Sequence, residues 1–319
     1  MDNLLRVAKL KFIEMDKNNV YDEELLRLIV KYGLIKPRSC YELCEVVKRL
    51  AKYNPSIALS LTAHHLALYC LKNHELSNRD CFFAFAMTEK VGSDVKAVET
   101  LAEDRNGSYV IRGIKNFVTN AEFAEVFVVT AKRGEKVQVF AVEKDGVKTE
   151  SVNLSCFRGS GIARVYIDAE VPKENLLGSL RLAVSALIRS RVVLASLALG
   201  IAERCFELAL GRARRRGLLE NRGIRWRFAE IKAEIEILRE FISRTARDAD
   251  RKDITVDSAI CKLKASELAK VSADLAVEIF GAKGLIAHTP TEIFYRYAKS
   301  LDIAEGTSEI MKEIISLSL

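Results

Sequence analysis

An acid, a glycine and two hydroxyl residues stand together near the C-terminus, in Asp302-Ile-Ala-Glu-Gly-Thr-Ser-Glu-Ile310. Gly306, lacking a Cβ, lets the backbone after Glu305 approach a ligand closely. Thr307 or Ser308 has the side chain to cap a following helix. A carboxylate at that point is favoured by the helix dipole, so by residue type alone Glu305 is an ordinary helix-terminal acid. As a base for a weakly acidic proton it works best with its pKa raised by burial. Other reactive types are dispersed. His64, His65, His74 and His288 share no ligand-like spacing with a cysteine or acid cluster, which leaves a metal site without support. The seven cysteines include no CxxC pair, and their odd number argues for reduced thiols. The net charge is +7, and its densest run is Arg212 to Arg216, followed by Arg222, Arg225 and Arg227. Such a run can bind phosphates or be a solvated helix face. With only Trp226 and Phe228 interleaved, nucleic acid is a weak reading.

Three sections position these groups. The 319 residues, 49% hydrophobic with a mean hydropathy of +0.05, suffice for a substantial core in one large or several small domains. Residues 1–79 read as helical. Met1 to Asp16 is amphipathic rather than a signal peptide, and no apolar run is expected to reach the ~18 residues that span a bilayer; the expected location is cytoplasmic. Leu25, Leu26, Ile29 and Val30 recur on one helical face, Tyr41 to Tyr53 repeats the pattern, and Pro55 starts a helix to about Leu71. His64 and His65 in that helix read as a satisfied, partly buried pair. Residues 80–178 change to short β-branched and aromatic segments such as Val126-Phe-Val-Val-Thr. Turn signals at Asn106-Gly107, Arg133-Gly134 and Asp145-Gly146 separate them. The expectation is an antiparallel β domain, a small barrel or sandwich. Residues 179–319 return to helices, expected near 180–217, 228–250, 254–281 and 305–318 and packed as a four-helix bundle. Helical, β, helical order, with no βαβ alternation and no GxGxxG or P-loop, argues against a Rossmann fold.

Five motifs then occur in order. They are Thr88-Glu-Lys-Val-Gly-Ser-Asp94, Gly113-Ile-Lys-Asn-Phe-Val-Thr-Asn120 and Val171-Pro-Lys-Glu-Asn-Leu-Leu-Gly178, the set Arg191, Ala195, Gly200 and Ala202, and the terminal Ile303-Ala-Glu-Gly-Thr-Ser-Glu-Ile310. Together they resemble the acyl-CoA dehydrogenase family from about residue 20 to the end. The resemblance implies an α+β multidomain fold: an N-terminal helical domain, a middle antiparallel β-barrel and a C-terminal four-helix bundle. It implies FAD as cofactor and desaturation of an acyl-CoA thioester, Glu305 taking the α-proton while the β-hydrogen passes as hydride to flavin N5. By the same resemblance Phe85, Met87, Thr88, Phe117 and Thr119 line the flavin ring, and Ser93 contacts the phosphate region of flavin or substrate. Arg191 and Gly306 lie at the substrate. Arg216, Glu278, Gly281 and Thr307 belong with the rest of the cofactor. Implied partners are an electron-transfer flavoprotein and further copies of the chain in a dimer or tetramer.

The pattern also departs from the family. Ser190 stands where some members carry the base, which leaves Glu305. Leu219 and Glu220 replace a Phe-Gly pair, and Glu278 replaces a glutamine. A carboxylate near a pyrophosphate repels it unless paired, and Lys283 or Arg212–Arg216 is the expected compensation. The chain is short between Leu71 and Cys81, and Ala304 replaces a tyrosine beside the base. Two other readings follow: a non-catalytic or half-site subunit beside a longer relative in a hetero-oligomer, and a flavin oxidase or monooxygenase.

Overall fold

The computed structural model describes residues 1–319 except Pro37, Val91, Ser93, Val95 and Lys96. The chain opens with α1 (Asp2–Asn18), α2 (Glu23–Lys31), α3 (Cys40–Ala51) and α4 (Pro55–Leu71). Local chemistry fixes three of their starts. Asp22 accepts from Leu25 N at 2.9 Å, Ser39 and Glu42 form a reciprocal capping box, and Asn54 caps α4 ahead of Pro55. In α4 every residue but Tyr69 is buried. A helix apolar on all sides must be surrounded, and α4 lies between the helical core and the sheet. His64 and His65 are fully inside, not partly. Their Nε2 atoms bond the carbonyls of Ile35 (2.8 Å) and Leu34 (2.7 Å), and His64 Nδ1 accepts from Phe83 N at 3.0 Å.

Among the described residues eight strands follow: β1 (Phe83–Ala86), β2 (Leu101–Arg105), β3 (Ser108–Val118), β4 (Val126–Arg133), β5 (Lys136–Glu143), β6 (Val147–Ser151), β7 (Ala163–Pro172) and β8 (Leu176–Ser179). Their order is β6-β7-β3-β2-β4-β5-β8, with β1 added beside β4. This corrects the expected antiparallel barrel, because the sheet is mixed and is not closed. Leaving α4, β1 runs parallel to β4, and β2 meets β4, also in parallel, only at Leu101–Lys132. Two antiparallel halves are joined there, while β6 and β8 remain edges. In β7 burial alternates residue by residue, as expected for a strand with one solvated face. By contrast β4 is buried on both sides. Phe127, Val129 and Ala131 enter the sheet's own core, whereas Val126 and Val128 pack with Leu66 and Phe83 toward α4.

The last section holds α5 (Leu180–Arg215), α6 (Arg222–Asp248), α7 (Thr255–Phe280), α8 (Pro290–Ser300) and α9 (Ser308–Ser316). Three long helices and two short ones replace the four expected, α8 being the addition, and α9 begins after Glu305 rather than at it. An apolar stretch of α5 is long enough to cross a membrane, contrary to the expectation, yet 67% of it is buried inside the protein, so it is a core helix. Where α3 crosses α5, a Cβ on Gly200 would stand 2.4 Å from Lys48 O and 2.8 Å from Ala51 Cβ. Gly200→Val should therefore lower stability by about 1–3 kcal/mol through overpacking, measurable as an earlier urea midpoint. Asp16, fully buried, ties α1 to α8. It accepts from Tyr297 Oη, Arg296 Nη2 and His288 Nδ1, each at 2.9 Å.

Candidate active site

Glu305 lies on the turn between α8 and α9 with φ +55°, followed by Gly306 at φ +106°. A non-glycine residue held there costs on the order of 1–3 kcal/mol and needs its surroundings to enforce it. Several groups do so. Arg191 Nε donates to Glu305 O at 3.2 Å, and Lys262 Nζ donates to the carbonyls of Gly306 (2.7 Å) and Asp302 (3.2 Å), bracketing the acid. Ser308 N donates to Asp302 O at 3.0 Å, and Thr307 Oγ1 caps α9 by accepting from Ile310 N. A Cβ on Gly306 would come within 3.0 Å of Met311 Cε.

The side chain is held as closely. Ser190 Oγ donates to Glu305 Oε1 at 2.7 Å, while Oε2 is buried with no hydrogen-bond partner. The residue as a whole is partly exposed, but its carboxyl group is not. Burial pushes the carboxyl up to about 7, against the lowering effects of Ser190, Arg191 and Lys262. Burial likewise pushes Lys262 down to about 8. The arrangement is a desolvated carboxylate with one fixed oxygen and one unpaired oxygen, able to take a proton near neutral pH.

The second constellation lies where β1 and β3 meet. A bulge interrupts the β3–β7 register between Lys115 and Val118. Within it Phe117 takes φ +55° and remains 57% exposed, an aromatic face turned out of the core. Thr119 beside it and Phe85 and Met87 on the β1 side are half-buried, and Thr88 is exposed with its carbonyl accepting from Asn116 N at 2.8 Å. Asn120 Nδ2 donates to the carbonyls of Ser60 (2.9 Å) and Phe83 (3.0 Å), and its Oδ1 is buried without a partner. Beneath the bulge, fully buried Lys115 Nζ donates to Glu89 Oε1 (2.6 Å) and Thr130 Oγ1 (3.0 Å). An aromatic face turned out of the core, with half-buried Thr119, Phe85 and Met87 around it, fits the ring of a flavin.

The remaining cofactor candidates do not converge within this chain. Arg216 is exposed at the C-cap of α5, and Gly281, at φ +63°, ends α7 in open space. Glu278 is paired, but by Arg227 rather than by Lys283 or Arg212–Arg216. Thr307 serves the α9 cap, and Ser93 lies outside the described residues. Arg191 and Gly306 do meet Glu305. Lys262 was missed by sequence reading, although it shares a helical stripe with Ala259, Ser266 and Ala269 that is otherwise small and buried. Ser190, read as an empty base position, instead holds the base that is present.

A helix–sheet–helix protein whose last turn buries a poised carboxylate is thus the class the fold and site define. Comparison with known proteins narrows it. The family description for the acyl-CoA dehydrogenase middle domain matches residues 84–169, and that for the C-terminal domain matches residues 180–319. A mouse (Mus musculus) mitochondrial short-chain specific acyl-CoA dehydrogenase is 32% identical over 263 residues, 75% of this chain and 63% of that protein. An acyl-CoA dehydrogenase of Bacillus subtilis is 31% identical over 262 residues, 76% of this chain and 69% of that one. Among solved structures, butyryl-CoA dehydrogenase from Megasphaera elsdenii superposes with a TM-score of 0.92 at 25% identity, covering 99% of this chain and 97% of that one. The chain belongs to the acyl-CoA dehydrogenase family. Its aligned stretch spans less than two thirds of the mouse relative's length.

Substituting Lys262 tests the turn. Lys262→Met should move the Glu305 pKa further up, and Lys262→Arg should bring part of it back, as read by infrared titration of the buried carboxyl.

Proposed function

We propose that this chain is an FAD-dependent acyl-CoA dehydrogenase that forms an α,β double bond in a CoA thioester. The observation that carries the reading is Glu305, whose Oε1 is fixed by Ser190 and whose buried Oε2 has no partner. When bound, FAD supplies the two-electron acceptor for the hydride that leaves Cβ. Phe85, Met87, Thr88, Phe117 and Thr119 hold the ring in this reading, with Arg216, Glu278, Gly281 and Thr307 toward its phosphates and adenosine. Glu305 Oε2 takes the α-proton, and the Arg191 and Lys262 bonds keep the turn from relaxing as charge moves off the carboxylate.

The reading includes an oligomer that completes the ADP-binding half across an interface, in keeping with the spread of its residues within one chain. Trp226 and Ile237 on α6 and Val271 on α7 are exposed large apolar side chains of the kind an interface covers. Electrons leave to an electron-transfer flavoprotein. The seven cysteines, all free, support a reducing cytoplasmic setting. We divide the chain after residues 79 and 178, the second break falling one residue before the end of β8 and two before the start of α5. The built base speaks against a non-catalytic subunit. The test is the visible spectrum of the purified protein. A flavin bleached anaerobically by a short acyl-CoA is the expected result, and a colourless protein that refuses added FAD would overturn the reading.

A further inference from the structure

A cavity of about 270 Å³ opens between α3, α4 and α5, and Ser190, the residue that holds Glu305, forms part of its wall. It is smaller than pockets that enclose whole drug-sized ligands, so it suits an acyl segment rather than a coenzyme. Leu43, Leu66, Ala186 and Val193 make much of the lining apolar. Its charged residues are three cations, Arg38, Lys72 and Arg189, against one acid, Asp250. Arg189 pairs with Asp250 and lies 4.8 Å from the Tyr69 ring centre. Arg38 and Lys72 form no ion pair among the described residues. Arg38 Nη2 donates to Gly33 O at 3.1 Å, but its Nε is buried with no partner; Lys72 Nζ stands 5.1 Å over the same Tyr69 ring. His65 adds no charge, since burial pushes it down to about 4. An apolar cavity with two cations outside any ion pair, Arg38 feeling the Glu42 carboxylate only at a distance, and an orphaned guanidinium N–H is poorly matched to a plain hydrocarbon tail.

We propose that this cavity receives the far end of the acyl group and that this end carries a carboxylate, so that the substrates are mono-CoA thioesters of dicarboxylic acids. Arg38 and Lys72 bind the carboxylate, and Tyr69 and the Arg189–Asp250 pair close the cavity around it. The inference rests on the dehydrogenase reading and deepens it.

Binding is measured by calorimetry on the flavin-loaded Glu305→Gln protein, which does not turn the ligand over. The probes are the mono-CoA thioesters of glutaric and adipic acid against pentanoyl-CoA and hexanoyl-CoA. The carboxylated pair should bind at least about tenfold tighter, and added salt should narrow the difference. Arg38→Met should reduce the ratio by about tenfold or more, and Lys72→Met, on the exposed rim, should reduce it less. Equal binding of the two classes, or a ratio that survives both substitutions, overturns the proposal. Bleaching of the wild-type flavin separates the two levels. Bleaching by pentanoyl-CoA alone leaves the dehydrogenase standing and sinks the dicarboxylic assignment, whereas a flavin that no thioester bleaches sinks both.

Discussion

Glu305→Gln is expected to lower the rate of anaerobic flavin bleaching by an acyl-CoA about 100- to 10,000-fold while the flavin spectrum is retained. The amide preserves shape and can still accept from Ser190, but it cannot take a proton. Wild-type activity should rise with pH through about 7, the value to which burial pushes this carboxyl, because only the ionised form is a base. Stability should run the other way. A carboxyl whose pKa is raised on folding, here from 4.5, stabilises the protein below its unfolded value and loses that contribution as pH rises through about 7. Glu305→Gln should remove this dependence, so the variant melts higher than wild type above neutrality. A variant that bleaches at the wild-type rate would remove Glu305 from the mechanism.

Lys115→Met carries the second large effect, on the other half of the site. Lys115 and Glu89 form an ion pair at 2.6 Å with side chains 0% and 5% exposed. Burial alone would raise the Glu89 carboxyl, and the bonds from Lys115 and Thr100 outweigh it and hold the group below its ordinary value. Removing the lysine leaves a buried acid without its cation, a change that costs about 3–5 kcal/mol. The loss should concentrate near the bulge, because the same ammonium reaches Met87 O at 3.4 Å and so links the end of β1 to β3. Unfolding by guanidinium reads the first effect. Weaker retention of FAD on gel filtration, at a temperature where the variant is folded, reads the second. Replacing Glu89 and Lys115 together by Gln and Met should recover much of the stability, which a purely steric role for Lys115 would not allow.

The order of helical, sheet and helical sections was legible because periodicity is local: α4 follows from Asn54, Pro55 and an apolar run, and β7 from strict alternation. Sheet closure and strand direction were not, since β1 and β2 take their parallel pairings from β4, far along the chain from either, which no short window contains. Glu305 was visible through its neighbours Gly306 and Thr307. Its depth was not, because the groups that hold it, Ser190, Arg191 and Lys262, come from helices more than forty residues away in sequence. The Glu278–Arg227 pair was hidden for the same reason, while the nearer Lys283 and the denser arginine run drew attention in the wrong direction.

The Asp16 knot has a consequence for how the chain reaches this state. Its acid is made early in synthesis, and two of its partners, Arg296 and Tyr297, lie 280 and 281 residues later. Until those partners are made, α1 has a carboxylate that it cannot bury alone, so its docking waits for nearly the whole chain. Such long-range closure slows folding. It also links completion of the first helix to the helix that leads into the Glu305 turn, so an unfinished chain has neither end of the molecule locked.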